Sequence, residues 1–204
     1  MNDTKIARLA PITKALQWDR GRGIWLIGLL LFLHLVLGMG DSITALLRYD
    51  RGAIAAGGWW RLLTAHVVHL DLHHLILNEL GLVLIWSLFA TDFNVVEWCV
   101  VVLLSALAIS SGLWWGSPYV TWYVGASGVL HAVMAAGAAR HWLMGQWDRW
   151  ILLIGLAVKL IYERGFSQPT PMIVIDAHLY GVLAGFAIGV ALTLRMAIIR
   201  ERLV

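Results

Sequence analysis

Chemistry could be done by Gly125-Ala126-Ser127-Gly128, which runs straight into the apolar Val129-Leu130-His131-Ala132-Val133. Glycines on both sides leave room around the Ser127 hydroxyl and its backbone N–H. A serine in an apolar helix ordinarily bonds back to its own backbone. What lifts Ser127 above that is Ala177-His178-Leu179-Tyr180-Gly181, which opens a later apolar stretch and can bring a base to the hydroxyl. A nucleophile, a base and an open N–H are the parts of acyl-transfer chemistry. Asp176 lies two residues before His178, and residues two apart on a helix point to different sides. The expectation is therefore a Ser127–His178 dyad.

His74 and Asn78 are four apart, so on a helix they share a face. Asparagine in an apolar helix is costly unless bonded. The pair either glues helices together or joins the Ser127 N–H around a developing oxyanion, where one donor is worth about 3 kcal/mol. His66, His69 and His73 are close in sequence, and His69 to His73 has ligand-like spacing. No carboxylate or thiolate completes that cluster, so no metal is expected there. Nothing in the sequence implies a cofactor.

These groups need elements to hold them. The chain has 204 residues, 60% hydrophobic and 13% charged, with a mean hydropathy of +0.79. A soluble domain is nearer half apolar and a quarter charged, so the fold class is an all-α membrane protein, with the lipid bilayer as its surroundings. The single cysteine, Cys99, excludes an intrachain disulfide and a thiolate cage. A net charge of +3 needs no nucleic-acid partner, because the basic residues gather at the ends of apolar runs.

A basic segment, residues 1–22, precedes the first run. Gly23–Met39 lacks a cleavage-site pattern and reads as an uncleaved first span. His34 within it has no evident partner and is expected to be packed or lumen-facing. Residues 40–71 carry Trp59-Trp60-Arg61 and suit an element lying in the membrane interface. Further spans are expected at Leu72–Thr91, with Asp71 as N-cap, Val95–Trp115, Ser127 to about Leu143, Trp150–Tyr162, and Ile173 to about Ile199. Residues 23–199 thus form one six-span domain, and 200–204 a basic tail.

With six spans both termini share a side. That side holds ten Lys and Arg (Lys5, Arg8, Lys14, Arg20, Arg22, Arg140, Arg149, Arg195, Arg200, Arg202) against five opposite (Arg48, Arg51, Arg61, Lys159, Arg164). The excess assigns both termini to the cytoplasm. Spans two, four and six then run from outside to inside, and their first turns bring His74 and Asn78, Ser127, and His178 to one depth near the outer face. Gly181, Gly185 and Gly189 recur every fourth residue with Ala177, Ala184 and Ala191 beside them, and the fourth span carries Gly128, Ala132, Ala135, Ala136 and Ala139. Small residues at this period let two helices pack backbone to backbone, which draws His178 towards Ser127.

Trp60-Arg61, then His69, His74 and Asn78, then G-A-S-G, then A-H-x-x-G-x-x-x-G in the last span resemble the rhomboid family of intramembrane serine proteases. The resemblance covers roughly residues 59–190 and implies a six-transmembrane-helix rhomboid-type bundle. It implies Ser127 as nucleophile, His178 as general base, and His74, Asn78 and Ser127 as oxyanion contributors. Gly125, Gly128, Gly181 and Gly185 are supporting positions, and Arg61 and His69 match positions that support the interfacial loop. His131 departs from many rhomboids, in which a tyrosine stacks on the histidine there.

More narrowly, G-A-S-G-V-L-H, the Lys159…Tyr162-Glu163 segment and A-H-L-Y-G resemble the rhombosortase subgroup. That likeness implies a bacterial inner-membrane enzyme facing the periplasm. Its implied substrates are transmembrane proteins with a C-terminal Gly-Gly, anchor helix and basic tail. Two other classes stand beside this reading. A non-catalytic binder of membrane helices is disfavoured by the intact serine and histidine. A proton-coupled transporter is disfavoured by acidic groups at span ends and the lack of an inverted repeat.

Overall fold

The computed structural model describes residues 22–146, 150–166 and 174–202; the basic segment before residue 22 and the last two residues lie outside them. In chain order the elements are α1 (Gly23–Gly38), α2 (Asp41–Leu47), β1 (Tyr49–Asp50), α3 (Arg51–Ala55), α4 (Arg61–Thr64), α5 (Leu72–Phe89), α6 (Val95–Gly116), β2 (Trp122–Tyr123), α7 (Ser127–Leu143), α8 (Trp150–Phe166) and α9 (Ile175–Glu201). Among the described residues, three helices are long and apolar enough to cross a membrane: α5, α6 and α9 over Ile175–Ile199. α1 and α2 would make a fourth if taken together, but they meet at a bend of 109°. α7 and α8 have 17 residues each.

The bundle is apolar outside and close-packed or polar within. Leu31, Leu80, Leu103, Ile151 and Ile161 face outwards, whereas Ser105, Ser110, Arg140 and His141 are buried. α7 is the central helix: Ala132, Ala135, Ala136, Ala138 and Ala139 are all fully buried. It packs on α9 at backbone distance. A Cβ added at Gly181 would sit 2.2 Å from the Gly128 carbonyl oxygen, one at Gly185 2.0 Å from that of Ala132, and one at Gly189 2.4 Å from that of Ala136. At these three positions not even a methyl group fits between the helices. α6 closes the other side of α9 by the same device, since Cβ atoms at Gly112 and Gly116 would fall within the Tyr180 ring and hydroxyl.

Local chemistry sets the helix ends. Asp71 caps α5, its Oδ1 accepting from the His74 N–H at 2.7 Å. Asn94 and Glu97 form a reciprocal capping box at the start of α6. The far end of α6 is capped from a distance. The Arg51 guanidinium donates to the carbonyls of Leu113 at 2.6 Å, Trp114 at 2.9 Å and Ser117 at 3.2 Å, which a helix C-terminus otherwise leaves without partners.

The connection 40–71 is a folded unit rather than a linker. Arg61 Nη1 donates to the carbonyls of Ala45 and Arg48 at 2.8 and 2.9 Å. β1 pairs antiparallel with β2, Tyr49 opposite Tyr123 and Asp50 opposite Trp122. The unit is thereby tied to the strand that leads into Ser127.

Two expectations need correction. α8 continues to Phe166, a full turn past Tyr162. His34 is not without a partner, because its Nδ1 lies 2.9 Å from Glu79 Oε1. Glu79 sits mid-helix in α5 rather than at a span end, and proximity across α1 and α5 could not be read from either segment.

Candidate active site

Ser127 is the first residue of α7, so its N–H has no intrahelical acceptor. The chain reaches it through Gly125, whose φ of +118° suits glycine. A Cβ there would also strike the His74 ring, 2.8 Å from Cε1 and 2.9 Å from Nε2. Two bonds lock this turn. Gly125 N–H donates to the Ala65 carbonyl at 2.9 Å, and the buried Tyr123 hydroxyl donates to the Gly125 carbonyl at 2.6 Å. Gly128 is needed for a different reason, since a Cβ there would lie 2.9 Å from the Ala177 carbonyl oxygen.

The close contact of α7 with α9 brings His178 Nε2 to 2.8 Å from Ser127 Oγ. His178 is 5% exposed. Its other nitrogen, Nδ1, lies 2.9 Å from Glu163 Oε2. A carboxylate accepts, so Nδ1 carries the hydrogen and Nε2 presents a lone pair to the Ser127 hydroxyl. The His131 ring stacks on His178 with centroids 4.2 Å apart and planes 14° from parallel. His131 Nδ1 in turn donates to the Ser127 carbonyl at 2.7 Å.

His74 and Asn78 line the same cavity as Ser127, His131 and His178. It has a volume of about 560 Å³, with α5 on one side and Ile151, Leu152, Leu156, Lys159 and Glu163 of α8 on the other. The Leu70 N–H points at His74 Nδ1 at 3.5 Å, which leaves the ring hydrogen on Nε2, the atom against Gly125. Asn78 Nδ2 donates to its own helix at the His74 carbonyl, 2.9 Å away, so one of its two N–H groups is already engaged.

His69 is buried with its ring edge-on to His74 at 5.2 Å, and it stands behind His74 rather than in the cavity lining. His66 Nε2 is 3.1 Å from both the Ala106 carbonyl and Ser110 Oγ. Ser110 spends its proton on the Leu62 carbonyl at 2.7 Å, so His66 donates. Burial pushes the pKa values of His66 and His69, both between the helices, down to about 4. Each is neutral when folded, and the unfolded chain takes up its proton first. Their stabilising effect is therefore complete above about pH 6.5 and lost as the pH falls towards 4, on the order of 3 kcal/mol each. Thermal unfolding in detergent should show a Tm that falls steadily between those pH values; a flat Tm down to about pH 4.5 would refute it.

Asp176 is engaged away from His178. Ser117 Oγ and the Tyr119 hydroxyl both donate to its Oδ2, and Arg164 lies 3.4 Å from Oδ1. The carboxylate beside His178 Nδ1 is that of Glu163, a residue that the sequence reading did not place at the histidine. The signal for it was in the sequence: Lys159 and Glu163 are four apart in an apolar helix, where a charge needs a partner. They form an ion pair through Oε1. His131, Glu163 and His178 each offer a metal-ligand atom within 4.8 Å of the others. In this arrangement Glu163 bonds His178 and Lys159, His178 also bonds Ser127 Oγ, and His131 Nδ1 bonds the Ser127 carbonyl. The His66, His69 and His73 trio forms no such group among the described residues.

A profile of the rhomboid domain matches residues 56–195, a range that holds Arg61, the cavity, all of α7 and most of α9. The chain is also similar to a protein of Bacillus subtilis (strain 168) described as rhomboid protease GluP, 27% identical over 159 residues. That match takes in 77% of this chain and 31% of the relative, so the chain spans about a third of the relative's length. With the domain match extending over well more than half of its residues, this chain belongs to the rhomboid family.

Proposed function

We propose that this chain is an intramembrane serine protease that cleaves single-span membrane substrates near the outer face of a bacterial inner membrane. The observation that carries the reading is the 2.8 Å contact of Ser127 Oγ with His178 Nε2 at an apolar cavity between α5 and α8. His178 takes the Ser127 proton as Oγ attacks the scissile carbonyl. The developing oxyanion is held by the Ser127 N–H, His74 Nε2–H and the second N–H of Asn78. His178 then returns the proton to the leaving amine, and water, activated by the same base, releases the acyl group.

In this reading α1 and α5–α9 are six spans, both termini are cytoplasmic by the positive-inside count, and the site opens to the periplasm. A helical substrate satisfies its backbone internally and offers no free carbonyl edge, so the cleaved segment must unwind. Glycine disfavours helix by about 1 kcal/mol relative to alanine and presents no side chain to a narrow site. A Gly-Gly just outside an anchoring span suits this cavity, and the rhombosortase likeness points the same way.

The test is a secreted-domain fusion carrying Gly-Gly, an anchor helix and a basic tail, expressed with wild-type or Ser127→Ala enzyme. Release that depends on Ser127, and that drops at least about ten-fold when Gly-Gly becomes Leu-Leu, is expected. Equal release from both tails would refute the glycine specificity. Release independent of Ser127 would refute the protease and favour a binder of membrane helices.

A further inference from the structure

We propose that Glu163 is a positioning residue for His178: it fixes the imidazole through Nδ1 and supplies the counter-charge for the imidazolium that forms when Ser127 loses its proton. This rests on the protease reading above and extends the Ser–His pair to a three-helix relay, with Ser127 from α7, His178 from α9 and Glu163 from α8.

The argument begins with what a lone imidazole would do. One bond to Ser127 leaves the ring free to turn about its own axis and free to present either tautomer. His131 restrains the face of the ring by stacking, but its Nδ1–H is committed to the Ser127 carbonyl, and stacking does not select a tautomer. The edge is restrained by Glu163 Oε2 at 2.9 Å, and only this contact makes Nε2 the basic nitrogen.

A charge between helices is costly unless it is paired. Glu163 is 12% exposed at its side chain, and its carboxylate is divided between two cations-in-waiting. Oε1 takes the Lys159 ammonium, which is 46% exposed and so still partly in contact with solvent. Oε2 takes His178. The other acidic group on this end of α9, Asp176, is held by Ser117, Tyr119 and Arg164. His74 approaches from α5 as a neutral donor. Glu163 is thus the carboxylate against the histidine, and the proton transferred from Ser127 to Nε2 creates a positive ring directly beside it. No atom is transferred to Glu163; the Nδ1 hydrogen stays on the ring throughout.

The experiment measures kcat and KM separately on one cleavable transmembrane substrate, together with Tm, for wild type, Ser127→Ala, Glu163→Gln and Glu163→Asp. Glutamine keeps the shape and can still accept from Nδ1–H, but it carries no charge. Glu163→Gln is expected to lower kcat by about 100-fold or more with KM within about two-fold, since losing the carboxylate in a serine-protease triad can cost about 10⁴. Glu163→Asp, which keeps the charge and retracts it by one methylene, should recover part of that loss.

A Glu163→Gln enzyme with wild-type kcat overturns the proposal, as does a loss confined to KM. Where Glu163→Gln fails to accumulate, Glu163→Asp decides: a kcat lowered about ten-fold at unchanged KM and Tm supports the role, and an unchanged kcat overturns it. If wild type and Ser127→Ala are alike, the protease reading fails and takes this one with it. If only Ser127→Ala is dead and Glu163→Gln matches wild type, this inference alone fails.

Discussion

His178→Ala is expected to reduce peptide cleavage by about 10⁴-fold or more, and Ser127→Ala to reduce it as far. Each single loss should cost about as much as both together, because nucleophile and base act as one unit. The physical reason lies in the 2.8 Å contact. A serine hydroxyl is a weak nucleophile at neutral pH and gains its reactivity only as a neighbouring base removes the proton. With His178 gone, no other lone pair occupies its place: His131 stacks beside the ring and donates to the Ser127 carbonyl, and His74 Nε2 carries its hydrogen. Labelling by a fluorophosphonate probe reads the same chemistry without a protein substrate. It should be lost in Ser127→Ala and nearly lost in His178→Ala, at unchanged size-exclusion profile. Cleavage by either folded variant above about one part in a hundred of wild type would overturn the assignment.

Gly185→Ala should be among the most destabilising single-methyl changes in the molecule. The added Cβ would lie 2.0 Å from the Ala132 carbonyl oxygen and 2.5 Å from its carbon. These are backbone atoms of a fully buried helix, so they cannot swing aside as a side chain would. α9 must move outwards along its length, because Gly181 and Gly189 face the same kind of contact one turn to either side. Overpacking of this kind costs about 1–3 kcal/mol and occasionally more, and the helix propensity gained, about 1 kcal/mol, offsets only part of it. The shift also draws His178 away from Ser127, so probe labelling should fall with Tm. Gly28→Ala in α1 is the control: nothing lies within 4 Å of its Cβ position, and only the propensity gain should appear. Equal Tm and equal labelling for Gly185→Ala and wild type would refute the close-packing account.

His131 and Glu163 show how the site divides between what is local and what is not. His131 is one helical turn from Ser127, so the sequence already put it on the same face; that it stacks on His178 depends on how α7 and α9 cross. Glu163 is 15 residues from His178 in sequence and on a different helix. The clue was a Lys–Glu pair in an apolar run, which signals a need for partners without naming them.

By itself the sequence determined the apolar helical class, the cap at Asp71, the turn at Gly125, the small-residue face shared by Gly181, Gly185 and Gly189, and the polar residues worth pairing. These follow from periodicity, backbone sterics and the cost of a polar group in an apolar run, all of which act within a few residues. Only the tertiary structure decided that Arg51 caps α6 from the loop, that His34 meets Glu79, that Tyr180 fills the space at Gly112 and Gly116, and that Glu163 rather than Asp176 reaches His178. Each is a contact between distant elements, set by crossing angles and helix depth. A side chain's type states what it must be paired with, and the packing of helices selects the atom that does it.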